Sequence, residues 1–138
     1  MWKVYALLSA LFAALTAILA KVGIKGISSN VATAVRTGVV LLLAWSIVFF
    51  TGEMKDVKTL SRANLIFLIL SGIATGLSWI FYFKALSTGE ASKVAPIDKL
   101  SVVFVMILSF IFLKEPANWK TICGGALIFG GTLFLIWQ

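Results

Sequence analysis

The sequence predicts an all-α integral membrane protein of five transmembrane helices, and three observations carry that prediction. Of 138 residues, 61% are hydrophobic and only 12% are charged, and the mean hydropathy is +1.07; a soluble domain holds about 25% charged residues. The apolar residues fall into five runs separated by short polar breaks. Each run approaches the ~20 residues a helix needs to cross hydrocarbon, where every backbone N–H and C=O must be satisfied inside its own segment.

The first span, over about 2–22, contains the run Val4 to Ala20, in which Ser9 and Thr16 interrupt the apolar residues, and Lys21 closes it. Lys3 ahead of an apolar stretch also fits a secretory leader. Ile18, however, stands where a cleavage site before Lys21 needs a small residue, so the helix is read as retained. The second span, about 31–51, carries Arg36 within it, and the third, about 63–84, is closed by Lys84. The fourth, about 91–113, has Pro96, Asp98 and Lys99 near its start, and the proline predicts a kink. The fifth, about 117–137, has no charge within its apolar run and contains Gly124, Gly125, Gly130 and Gly131. Gly124 and Gly131 share a face, and Gly72 and Gly76 form a GxxxG in the third span; such small residues let another helix approach closely. Trp2, Trp119 and Trp137 sit at span ends as interfacial anchors. Together the spans form a single transmembrane domain over residues 1–138.

This composition excludes most chemistry. There is no histidine, and one cysteine, Cys123, reads as a buried inert thiol. No Gly-rich phosphate loop, carboxylate pair or nucleophile–base constellation is present, so no catalytic residue, metal ligand or cofactor is expected. Twelve basic against five acidic residues give a net charge of +7. In a membrane protein that excess belongs to loops facing the cytoplasm and anionic lipid, and a nucleic-acid partner is not expected. With the N-terminus inside, Lys3, Lys55, Lys58, Arg62, Lys114 and Lys120 lie inside, and Lys21, Lys25, Lys84 and Lys93 outside. This bias is small enough to leave room for insertion in both orientations.

The charges within spans single out a site, because a charge in hydrocarbon is costly unless it meets protein, water or a partner. Arg36 and Asp98 each lie roughly 6 to 8 Å below the start of their span, on the same membrane face, with Lys99 adjacent. Two readings are open for Lys21 and Lys84 on that face: a share in this cluster, or snorkelling to the head groups. Arg36 or Lys99 is expected to pair with Asp98, leaving a net positive charge for a substrate carboxylate or phosphate. Ser71, Thr75, Ser78 and Tyr82 recur at helical spacing to make a polar stripe, with Trp79 beside it. Asp98, Ser101 and Ser109 share a side of the fourth span, and Tyr5, Ser9 and Thr16 a side of the first. These stripes either line a substrate path or bond their own helices. The candidate path is therefore Arg36, Ser71, Thr75, Ser78, Trp79, Tyr82, Asp98, Lys99 and Ser101.

A shift of 63 residues lays the Lys21 region, positions 20 to 40, onto the Lys84 region: Lys21 on Lys84, Gly26 on Gly89, Ser29 on Ser92, Val31 and Ala32 on Val94 and Ala95, Arg36 on Lys99, Val39 and Val40 on Val102 and Val103. This pattern points to an internal repeat of hairpins in the same orientation. Thr33 becomes Pro96 and Val35 becomes Asp98, so the second copy gains the kink and the carboxylate.

The stretches Ala20-Lys-Val-Gly-Ile-Lys-Gly, Asn30-Val-Ala-Thr-Ala-Val-Arg-Thr, Ala91-Ser-Lys-Val-Ala-Pro-Ile-Asp-Lys-Leu-Ser and Leu113-Lys-Glu-Pro resemble a single EamA-type unit of the drug/metabolite transporter superfamily, in its five-helix bacterial and archaeal subgroup. The resemblance covers nearly the whole chain. It implies an EamA-like bundle and an inner-membrane carrier that moves small metabolites, amino acids or related compounds by alternating access. Most members of that family carry two units, inverted relative to each other. One unit alone implies a homodimer, antiparallel or otherwise, or a heterodimer with a similar unit, in contact with membrane lipids. The four-helix multidrug relatives rely on a glutamate in the first helix; the first span here has no acidic residue. The competing expectation is a non-transporting accessory or scaffold subunit whose charges only lock helices together.

Overall fold

The computed structural model describes residues 1–137. Its elements are α1 (Trp2–Gly23), α2 (Ser29–Phe50), a 3₁₀ segment (Glu53–Thr59), α3 (Arg62–Thr88), α4 (Ala91–Asp98), α5 (Leu100–Phe112) and α6 (Trp119–Ile136). Among the described residues there is no strand, and five stretches are long and apolar enough to cross a membrane, α4 and α5 together making one of them, Ala91–Phe112. The chain is an all-α, multi-pass membrane protein.

Capping chemistry sets the helix ends that hydropathy placed a few residues away. α2 starts at Ser29 rather than near 31 because the Ser28 hydroxyl accepts from the Val31 N–H at 3.3 Å. Ser61 does the same for Asn64 at the start of α3, at 3.1 Å. Asn118 accepts from the Lys120 N–H at 3.3 Å, so α6 begins at Trp119 rather than near 117. At the other end of α3, Lys84 does not stop the helix, which runs on to Thr88, because a charged side chain can leave the helix surface without disturbing its backbone. Gly26 and Gly52 carry the left-handed turns after α1 and α2, at φ 79° and 75°.

The fourth span breaks at Lys99. Pro96 lacks the N–H that would bond one turn back, and the chain answers with a tighter turn in which the Lys99 N–H bonds the Pro96 carbonyl at 3.0 Å. α5 then restarts at Leu100.

The chain clusters into two compact units, Met1–Thr88 and Gly89–Gln138. In the first, α3 packs against both α1 and α2. Its core is small: Ile24, Ala32 and Phe83, flanked by Ala20 and Tyr82, with Leu86 fully buried nearby. Most other large apolar side chains are exposed, as lipid-facing residues are. In the second unit, α6 packs against α4 and α5. The close approach comes at Gly125, where a Cβ would meet the Met106 Cε at 2.7 Å. Cys123, on the same helix, is half-buried rather than buried.

Candidate functional site

Arg36 is the centre of the first unit's polar chemistry. Its guanidinium lies over the Trp79 ring, 4.4 Å from the centroid, and 5.3 Å from the centroid of Phe83. Both distances are within the ~6 Å reach of a cation–π contact, and Trp is the strongest ring for it. Helix rise gives the depth: Arg36 is seven residues into α2 and Trp79 nine residues short of the end of α3, so the stack lies about 10 to 13 Å inside the helix ends. The side chain is therefore held against α3 by these two rings. Phe83 is 2% exposed and fixed in the core, which gives the guanidinium a rigid second wall.

Two open grooves meet at this stack. One, of about 370 Å³, runs between α1, α2 and α3 and is lined by Thr16, Leu19, Ala20, Gly23, Ile27, Ala32, Val35, Arg36 and Phe83. The other, of about 410 Å³, lies between α2 and α3, where Ser71, Gly72, Thr75, Gly76 and Trp79 face Thr37, Val40, Leu41 and Ala44. Arg36 lines the first groove and Trp79 the second, so their contact is the partition between them.

The stripe on α3 divides across these surroundings. Ser71 and Thr75 line the α2–α3 groove, whereas Ser78 is exposed and Tyr82 is half-buried against the core, edge-on to Phe83 at 6.3 Å. Thr75 donates to the Ser71 carbonyl of its own helix at 2.8 Å, so that hydroxyl is already satisfied. Of the polar residues on the first span, Thr16 reaches a groove lining. A Cβ added at Gly72 or Gly76 would meet nothing within 4 Å; these glycines widen the groove instead of admitting a helix of the same chain. Gly124 and Gly131 are equally open, and Gly125 makes the close contact within the unit.

Lys21 is tied inward by its ammonium, which donates to the Leu86 carbonyl at 2.5 Å near the end of α3. Lys84 is exposed.

Asp98 and Lys99 belong to the second unit, at the break between α4 and α5. They pair with each other at 3.5 Å, so Lys99 supplies the cation expected beside this carboxylate. Ser101 is exposed one turn beyond, and Ser109 is half-buried. Lys93 and Glu90 form an exposed pair at 3.7 Å, where α4 starts. Among the described residues there is no cluster of metal-ligating side chains.

Phe83 and the apolar wall Leu19, Gly23, Ile27 and Val35 were not marked by the sequence. In an apolar run they carry no signal of their own; the one available clue was that Phe83 sits one turn from Trp79.

Comparison with known proteins agrees with this architecture. Residues 1–137 match the EamA-like transporter family. The chain is 48% identical to an uncharacterized transporter in the cobO 3′ region of a Sinorhizobium species, over 97% of this chain and 95% of that protein. It is 30% identical to the uncharacterized transporter YvbV of Bacillus subtilis over 58% of this chain and 26% of that protein. No solved structure matches. The chain belongs to the EamA-like transporter family, as a single unit, and is a membrane transporter.

Proposed function

From its membership of the EamA-like transporter family, we propose that the chain is one protomer of a small-metabolite or amino-acid exporter. It works by alternating access as a dimer in a prokaryotic plasma or inner membrane and catalyses no covalent reaction. The observation that carries this reading is Arg36, held on Trp79 where two grooves meet. A transporter needs a recognition group inside the membrane with access from more than one direction, and a charge at that depth is kept for a function or a partner. Arg36 binds the anionic part of the solute, and Ser71, Thr75 and Trp79 continue the path, with Ser78 and Tyr82 as its further candidates in this unit. The Asp98–Lys99 pair sits at a broken helix, where a backbone that is not continuous can bend as access alternates.

The dimer is inferred from the faces this unit leaves open. One five-span unit leaves its grooves and the Gly124 and Gly131 face open. A second, similar unit closes them, either an inverted copy of this chain or a related partner. Counterflow of radiolabelled metabolites into proteoliposomes tests the reading: Arg36→Ala and Asp98→Asn are each expected to impair transport. Normal transport by both variants refutes the site. A purified protein that moves no solute but co-purifies in fixed ratio with another membrane protein refutes the exporter. A C-terminal reporter found on one side of the membrane only excludes the inverted homodimer.

A further inference from the structure

The Arg36 groove has a specific imbalance. Guanidinium presents five N–H donors around its edge, and stacking on Trp79 and Phe83 occupies its faces and not its edge. Among the described residues the ion pairs are Lys93–Glu90 and Lys99–Asp98, neither of which involves Arg36. The acidic residues of the first unit, Glu53 and Asp56, lie in the 3₁₀ segment beyond the far end of α2, about 20 Å along the helix from Arg36. Lys21, Lys25 and Lys84 all lie toward the Arg36 end. Apart from Thr16 and Arg36, the groove wall is apolar or glycine.

We propose that this groove binds a small amphiphilic monocarboxylate, with its carboxylate bidentate on the Arg36 edge and its apolar body against Leu19, Ile27, Val35 and Phe83. This deepens the exporter reading and rests on it for the role of Arg36. Charge complementarity selects the head: an anion offers acceptors to the guanidinium edge, and charge-assisted bidentate bonds are the strong ones. The apolar wall selects the body, and about 370 Å³ suits a compact solute. A two-chain phospholipid is too large for that volume, and its head group would have to leave the interface to reach Arg36. The same imbalance disfavours an amino acid, whose ammonium meets Arg36 and the nearby lysines at this end of the unit and no carboxylate.

The test is calorimetric titration of the full chain in phosphatidylcholine nanodiscs, corrected with empty nanodiscs. Four probes are used: 4-phenylbutanoate, 4-phenylbutan-1-ol and 4-phenylbutylammonium, which share one body, and phenylalanine, which is one methylene shorter. The carboxylate is expected to bind saturably, at least about tenfold more tightly than the other three. Arg36→Gln is expected to lose that factor and Arg36→Lys to recover part of it. Equal binding of the alcohol or of phenylalanine, or an unchanged Arg36→Gln, overturns the proposal. If Arg36→Gln fails to fold, the four probes on the unaltered protein still decide. Replacing half the lipid with phosphatidylglycerol, at a salt concentration high enough to screen the surface potential, is expected to leave affinity unchanged; a tenfold loss there identifies lipid as the occupant and overturns the proposal. Proteoliposome flux separates the two readings: transport of other solutes without probe binding ends this inference alone, and probe binding without any flux ends the exporter reading alone.

Discussion

Trp79→Leu and Arg36→Gln, made singly and together, are expected to show that the aromatic stack holds the guanidinium in place. The guanidinium lies 4.4 Å from the Trp79 centroid, and both residues are half-buried. A cation–π contact ranges from about 0.5–1 kcal/mol when exposed to about 2 kcal/mol when desolvated; this geometry places the coupling at about 1–1.5 kcal/mol. The single variants cannot measure it. Arg36→Gln also removes the cost of a charge in hydrocarbon, and Trp79→Leu also removes packing, so either can move stability for a second reason. A double-mutant cycle cancels those terms. The measurement is reversible unfolding in mixed micelles, followed by circular dichroism as the mole fraction of sodium dodecyl sulfate rises. Arg36→Gln with Phe83→Leu is an internal control: at 5.3 Å, on a weaker ring, its coupling is expected to be smaller. Coupling between Arg36 and Trp79 below about 0.4 kcal/mol, the level at which independent sites add, refutes the stack as what orients Arg36.

Other expectations follow from single contacts. Lys21→Met keeps the apolar stem but removes the donor to the Leu86 carbonyl. It is expected to lower the unfolding free energy by about 1–2 kcal/mol, within the range for a hydrogen bond to a charged group, and Lys21→Arg should restore much of it. Gly125→Ala meets only the flexible end of Met106 and is expected to be nearly neutral. Gly125→Leu should cost about 1–3 kcal/mol by forcing α6 from α5, read in the same micelle titration. Gly131→Leu enters open space within the chain, so it is expected to leave protomer stability unchanged and to shift the mass measured by light scattering from dimer to monomer if that face carries the partner. Pro96→Ala returns an N–H to the start of the fourth span and is expected to raise the thermal midpoint while slowing proteoliposome flux; an unchanged midpoint refutes the proline as the cause of the break at Lys99.

The spans were legible because lipid imposes one rule on every residue in them. A run of apolar side chains about 20 long has few structures open to it, so the five helices could be located from hydropathy alone. Their ends depend on single side chains such as Ser28, Ser61 and Asn118, whose caps act over three residues and leave no trace in an averaged pattern. Lys84 misplaced the end of α3 because charge was read as a boundary, whereas a lysine at a helix surface extends away from a backbone that continues. The site was legible in part. Arg36 stood out as a charge in an apolar run, and Trp79 as a large ring near a polar stripe. Their contact was not readable, because it depends on which face of α3 turns toward α2. The facing row runs through Ser71, Thr75 and Trp79, sharing its first two residues with the stripe that polarity marked and leaving it at Trp79, where the stripe continued through Ser78 and Tyr82. Gly125 was hidden for the same reason: four similar glycines occur in α6, and only the position of Met106 distinguishes them.

The 63-residue register read from the sequence aligns Arg36 with Lys99 and Val35 with Asp98, and the structure gives the two cations different surroundings. Asp98 gives Lys99 a carboxylate at 3.5 Å, and Pro96 precedes the break in the helix beside it. The second unit thus holds a neutralised pair at a bend. In the first unit α2 runs unbroken past Arg36, and Thr33 donates to the Ser29 carbonyl at 2.8 Å without interrupting the helix. Val35 offers no charge, so Arg36 turns to the faces of Trp79 and Phe83. Aromatic faces orient a guanidinium without satisfying its N–H edge. A cation that is rigidly placed and still short of acceptors is suited to bind an anion, whereas a cation already paired at a flexible joint is suited to move. On this reasoning Arg36→Gln acts on solute affinity and Asp98→Asn on the rate of exchange between states. Proteoliposome kinetics separate them: the first is expected to raise KM and the second to lower the maximal rate, and an identical change in both variants would show that Arg36 and Asp98 share one task.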